Sequence, residues 1–433
     1  MKKKGNNMKK RKERTAWTTL ATIAWRNVWR HGKRTALTVI TMTFGLGLYI
    51  GMDSILKGMD RMGLENMMEL SDSSVKITTR AYDEEAQSMP LDYGIPDVAA
   101  VKAFLMQDKR VLAVSERLRF VGQLSNGQDA LPVQIIAINP QDDDQVFSLA
   151  NYRTGDSLAA QTEGPAIMLG KKLASELGLQ IGSWVTLSAR TRYDAQNAQD
   201  FLVAALLDTP DPTINNGNAY ISFAAAEPFL DLEGLRTELV VRMQKRVNLK
   251  DAMKDSDEIA ALVNANFPEL SAKSFGEIGR QFLELSKAKS KGAGMIIFIM
   301  MIIAGVGIAN TVLMSVYSRI REIGVLRAFG LTAKDIRRLF LLEGGLIGLV
   351  GSLAGLLFGI MLDAYFIFWG MPLDAMMGNI DMGLPVGGNL YGEWNPDQML
   401  TAAIVGILIA LFASRSPAKR AGKLEVTNAL RFV

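Results

Sequence analysis

One histidine, His31, and no cysteine occur among 433 residues. That excludes disulfides and thiolate chemistry, and leaves no ligand set for a zinc site or a His-centred triad. Two segments could still do chemistry. Gly164-Pro-Ala-Ile-Met-Leu-Gly170-Lys171-Lys172 comes near a phosphate-binding loop. It has five residues between the glycines and no Ser or Thr after the lysine, so it fails the spacing that lets backbone N–H groups cradle phosphates. Asp142, Asp143 and Asp144 offer oxygens to a calcium ion, yet a solvated acidic turn fits three consecutive carboxylates better. A hydrolase without His or Cys needs a Ser–Lys or paired-carboxylate design, and no spacing argues for either. The expectation is a chain with no catalytic residue, no metal and no cofactor of its own.

The residues that stand out next are charged and lie beside apolar runs. Twelve Lys/Arg precede Thr35, six fall between Arg319 and Arg338, and five follow Ser414, with four acids among them. Residues 57–291 carry 25 basic and 33 acidic side chains, a net of −8. Basic runs also suit nucleic acid, but their position flanking apolar segments favours membrane topology, so no nucleic-acid partner is expected. Apolar residues make up 49% of the chain, and mean hydropathy is +0.14. A mixed membrane and globular protein follows.

Four apolar runs are candidate spans of a hydrocarbon core ~30 Å thick. They are placed at 35–56, 291–317, 339–370 and 398–414. The first holds only Asp53; Glu343 and Asp363 interrupt the third near its two ends. The fourth is the shortest, and a buried soluble helix is its alternative reading. The positive-inside rule puts the N-terminus, the 318–338 loop and the 415–433 tail in the cytoplasm, although Lys287, Lys289 and Lys291 then sit outside. Residues 57–290 and a short loop at 371–397 fall on the outer side. The first apolar run starts too late for a cleaved signal and is long enough to remain as an anchor. Before it, in 1–34, Leu20, Ala24 and Val28 recur at helical spacing beside Trp17, Trp25, Trp29, Arg26 and Arg30. That suits an amphipathic helix in the headgroup plane, or a plain continuation of the first span.

The outer segment reads as α+β. Strands are expected at 74–79, 133–138, 184–188, 201–207, 219–223 and 238–243, and helices at 96–106, 171–177 and 256–266. A strand at 238–243 followed by a helix is half of a split βαβ unit. Thr209–Gly217 is turn-rich, either a hairpin connection or a protruding loop. In the third span Gly344 and Gly348, then Gly351, Gly355 and Gly359, recur four apart, a spacing for close helix packing.

The run Arg-Glu-Ile-Gly-Val-Leu-Arg-Ala-Phe-Gly at 321–330 resembles the coupling-helix motif of ABC permeases of the MacB/LolC/LolE/FtsX superfamily. Residues 23–38, 166–187 and 416–431 are similar to that family's entry into the first span, its outer-domain signature and its C-terminal tail. The turn Ser318–Ile320 departs from the Glu or Lys many relatives carry there. The resemblance implies an α-helical membrane protein with four transmembrane helices plus a large α+β extracytoplasmic domain, in a cell inner membrane. It implies two separate ABC ATPase subunits that bind ATP and Mg, and a second permease, identical or not. Arg319, Arg321, Glu322, Gly324, Leu326, Arg327 and Gly330 would carry the ATPase contact. The role implied is mechanical: ATP-driven motion passed to the outer domain, releasing lipoproteins or lipids, with a periplasmic acceptor. The Thr209–Gly217 loop, at the place of a hook in the lipoprotein-releasing branch, and the 276–289 run favour that branch. Export of peptides or drugs, and activation of a cell-wall hydrolase, are the alternatives.

Overall fold

The computed structural model describes residues 18–30, 32–160, 164–246, 248–373 and 385–425, without the side chains of residues 296, 297 and 300. Trp17, His31 and the last residues of the 416–431 segment lie outside them. The chain forms two units: 59–286 with 372–390, and 1–58 with 287–371 and 391–433.

In the first unit ten strands join one sheet: β1 Val75–Thr79, β2 Val111–Ser125, β3 Ala130–Ile138, β4 Arg153–Gly155, β5 Ala166–Gly170, β6 Trp184–Arg190, β7 Gln196–Leu207, β8 Asn218–Ser222, β9 Glu238–Met243 and β10 Leu270–Ser274. One end runs in the order β10-β1-β9-β2, every pair antiparallel. Helix Val98–Leu105 links β1 to β2, and helix Leu249–Asn266 links β9 to β10. Each βαβ unit thus brackets a strand of the other, a doubly split arrangement of the ferredoxin-like kind. The second helix is amphipathic, burying Ser256, Ile259, Ala260 and Val263 at helical spacing, against Val75, Ile77 and Val241. Strands β3 to β8 are inserted between β2 and β9 and enclose a second core that includes Phe120, Ile135, Leu169, Phe201 and Phe229.

The longest strand, β2, serves both halves. Its first residues pair with β9 and those from Arg117 onward with β3. Sequence reading left it out because Glu116, Arg117 and Arg119 interrupt its apolar pattern. Strands normally turn such charges to water, but here Arg117 is fully buried. Its guanidinium donates twice to Asp143, at 2.8 Å each, and to the Ser71 carbonyl at 3.2 Å. Arg119 donates to the same carbonyl at 3.1 Å and to buried Glu238 at 3.0 Å. Lys76 pairs with Glu238 from β1 at 2.9 Å. Ser71 lies in the π-turn Met68–Asp72 that follows helix Gly32–Met67. Two arginines of the sheet therefore grip the turn that ends the first long helix.

Burial would raise the Glu238 carboxyl, but Arg119 and Lys76 outweigh it and hold it down from 4.5 to about 2. A depressed folded value contributes stability that is complete above the unfolded value and lost as pH falls towards the folded one. About 3 kcal/mol of stability should therefore disappear between about pH 4.5 and about pH 2. Melting of the chain against pH checks this: Glu238→Gln should flatten the acid limb, and an unchanged acid limb would refute the assignment.

One expectation for this unit needs correction. The 209–217 segment is neither a hairpin connection nor a protrusion. β7 and β8 do not pair with each other; β5 lies between them, parallel to β7 and antiparallel to β8. The connection steps over the end of β5 as a short helix, Pro212–Gly217, capped by Asp211, with Thr209, Asp211 and Ile214 buried. This also explains Gly170, the glycine of the near-miss phosphate loop. A Cβ there would run into the backbone carbonyls of Ile214 and Asn215.

The second unit holds the long helices. Among the described residues four helices are long and apolar enough to cross a membrane: Gly32–Asp72, which runs on into the first unit, Met301–Ser318, Ala333–Phe368 and Pro396–Gly422. The helix containing the second span begins earlier than expected, at Arg280, so Lys287, Lys289 and Lys291 lie on it rather than in a loop. The fourth continues to Gly422 with Pro417 inside, so the tail placed at 415–433 begins as helix. Residues 18–30 form a separate helix. The Thr35 hydroxyl donates to the Val28 carbonyl at 2.9 Å. Seven residues of straight continuous helix rise about 10 Å along the axis and would not allow that bond, so residues 18–30 are not a plain continuation of the first span. Leu20, Ala24 and Val28 are buried, while Trp25 and Trp29 stay exposed in an edge-to-face pair.

The glycines of the third long helix divide between two neighbours. A Cβ on Gly344 or Gly348 would collide with Ser414 or Ala410 of the fourth. A Cβ on Gly351, Gly355 or Gly359 would lie 2.8, 2.8 and 2.7 Å from Met42, Leu46 and Ile50 of the first. Small residues thus let one helix approach two others closely.

Candidate coupling site

The second span ends at Ser318. Arg319 leaves helical geometry at φ −124°, and a short helix, Ile320–Ala328, follows. Gly330 then takes φ +97°, a left-handed turn that other residues adopt only with strain. Thr332 opens the next helix with a capping box: its hydroxyl accepts from the Asp335 N–H, and the Asp335 carboxylate accepts from the Thr332 N–H. Turn and cap together fix where the short helix stops and the third span starts.

One face of the short helix is packed. Ile320, Ile323 and Gly324 are buried, and Leu326, partly buried, packs against the cluster that includes Ile336 and Phe340. Arg327 donates to the Leu424 carbonyl. The other face carries Arg321, Val325 and Phe329, four residues apart and exposed, Phe329 to 83%. An apolar pair beside a cation, held out on a fixed helix, is the composition of a docking surface rather than of a solvated loop.

Behind this face runs an alternating chain of charges. Arg30 donates to Glu322 at 2.9 Å, Arg319 to Glu322 at 2.8 Å, and Arg319 to Glu343 at 2.8 Å. Asn27 adds a 2.6 Å bond to Glu343, and Ser315 a 3.4 Å bond. The hydrogen bond from Arg319 holds the Glu322 carboxyl below the usual carboxylate range, against partial burial.

The structure thus sorts the residues proposed for the ATPase contact. Arg321 is exposed and Glu322 half-exposed. Gly324 is a packing position and Gly330 a turn. Arg319, expected at the contact, is only 6% exposed and faces inward, because the buried Glu343 carboxylate needs a cation beside it. Sequence reading missed Val325 and Phe329. Their four-residue spacing from Arg321 was the available signal, hidden because apolar residues in such a segment ordinarily face the bundle.

Four apolar helices and a large α/β domain set between the first and second of them define a membrane protein with an extracytoplasmic domain. Residues 35–259 match the MacB-like periplasmic core domain model, and residues 294–426 the FtsX-like permease C-terminal model. The chain belongs to this superfamily and is an ABC transporter permease. It is 22% identical to the lipoprotein-releasing system transmembrane protein LolE of Haemophilus influenzae, over 94% of this chain and 98% of that one. It is 22% identical to LolC of Xylella fastidiosa, over 92% and 94%. The macrolide export ATP-binding/permease protein MacB of Nitrosomonas europaea is 26% identical over 34% of this chain and 20% of that one. Among solved structures, the periplasmic region of MacB from Actinobacillus actinomycetemcomitans matches 51% of this chain and 97% of that one, at 14% identity and a TM-score of 0.33.

Proposed function

We propose that this chain is the non-catalytic lever of an ATP-driven complex that releases lipoproteins or lipids from the outer leaflet of a cell inner membrane. Two copies of a separate ATPase bind ATP and Mg and dock beneath a permease pair. The N-terminus, the 319–338 loop and the C-terminal tail face the cytoplasm. The observation that carries the reading is the fixed helix Ile320–Ala328 with its exposed Arg321–Val325–Phe329 face. Near full-length similarity to LolE and LolC supports lipoprotein release over export. The pyoverdine export ATP-binding/permease protein PvdT of Pseudomonas fluorescens is matched over only 50% of its length. The 209–217 segment, anchored by buried Thr209, Asp211 and Ile214, lends this branch no support as a hook.

The docking surface is tested by copurification. Phe329→Ala should weaken ATPase binding by ~2 kcal/mol, roughly 30-fold, and Val325→Asp with Phe329→Asp should abolish it while the chain still inserts. Undiminished copurification of the double variant would remove the docking role. Acylated protein trapped on the chain in a membrane pull-down supports lipoprotein release; recovery of unacylated peptide alone would shift the reading to export.

A further inference from the structure

The short helix can dock a motor, but docking does not say how its motion enters the membrane. Hydrogen bonds converge on one residue from three separate segments. Asn27 reaches it from helix 18–30, Ser315 from the end of the second span, and Arg319 from the turn before the short helix. That residue is Glu343, buried on the third span. It stands eleven residues past the Thr332 cap, about 16 Å along one unbroken helix. We propose that Glu343 is the positioning residue through which displacement of the Ile320–Ala328 helix is passed to the third span, a role that rests on the docking reading above.

Three features carry this. The Arg319–Glu343 pair is desolvated on both sides, so separating the partners is expensive and the two move together. Arg319 sits at the non-helical joint at the head of the short helix and also holds Glu322 of that helix, so helix and joint move as one body. Beyond Glu343 the third span meets the fourth helix at Gly344 and Gly348, and the first at Gly351, Gly355 and Gly359. Displacing Glu343 therefore loads both neighbours at once.

The test uses the full chain reconstituted with its ATPase. Glu343→Gln keeps the shape and the acceptor oxygen and removes the charge. ATPase copurification and ATP hydrolysis should stay at wild-type level, while cargo release falls about tenfold. A spin label at Leu357→Cys, on the exposed face of the third span, should respond to ATP in the parent and not in the Glu343→Gln background. A label is easily placed because the chain has no cysteine. Wild-type release by Glu343→Gln, or an unchanged label response, overturns the proposal. So does loss of docking in Glu343→Gln, which would make the residue part of the platform. Failure of the parent chain to bind any ATPase would instead overturn the docking reading itself.

Discussion

Arg117→Ala is expected to destabilise the outer unit by about 3–5 kcal/mol, the range for removing one partner of a buried ion pair. The guanidinium makes a two-point contact with Asp143, stacks 3.6 Å above the Phe147 ring and bonds Ser71. Its loss leaves a buried carboxylate with the Ser115 hydroxyl at 3.1 Å, and one hydroxyl does not compensate a charge. At roughly 2–4 °C per kcal/mol for a unit of this size, the melting temperature should drop by about 10 °C. Replacing the pair together, Arg117→Met with Asp143→Leu, should recover most of that, since apolar residues of similar volume often match a buried ion pair. The double variant would still lack one of the two grips on Ser71. Recovered stability with impaired cargo release would separate the clamp from the core. A drop below ~1 kcal/mol in Arg117→Ala would show that the pair does not hold the fold.

The parts of the molecule legible in the sequence are those whose physics is local. Long apolar runs mark the spanning helices. β9 was found at its own bounds because Glu238–Met243 is a short apolar run between turn residues. What stayed hidden depends on partners distant in the chain. β2 looked too charged for a strand until Asp143 and Glu238 supplied counter-ions. Arg319 looked like a surface cation, and only the fold puts Glu343, 24 residues on, beside it. Glu343 shows in the sequence only as an acid that interrupts the third apolar run near one end. Gly170 belongs to a run that fails the phosphate-loop spacing, and its missing side chain makes room for a crossing backbone. In each case a residue type was noticed correctly and its partner was beyond the reach of any spacing rule.

Gly359→Leu should prevent the first and third spans from packing. A Cβ at this position already lies 2.7 Å from two Ile50 carbons and 2.9 Å from a third, well inside van der Waals contact. Ile50 is itself buried, so it has little room to move aside. Forcing a side chain into such a contact costs about 1–3 kcal/mol for small additions, and four carbons should take Gly359→Leu to the upper end or beyond. Gly359→Ala should show a smaller loss of the same sign. Gly307→Ala is the control: a Cβ there meets nothing within 4 Å, and removing a helical glycine should be neutral or stabilising by ~0.5–1 kcal/mol. Unfolding of the three variants in the same detergent gives the comparison. If Gly359→Ala and Gly307→Ala behave alike, the glycines are filler and the third span does not bear on the first. If they diverge as expected, the close approach at Gly359 is structural, and loosening it should weaken ATP-driven release more than ATP hydrolysis. Along the first and third spans the contact is made where side chains are absent.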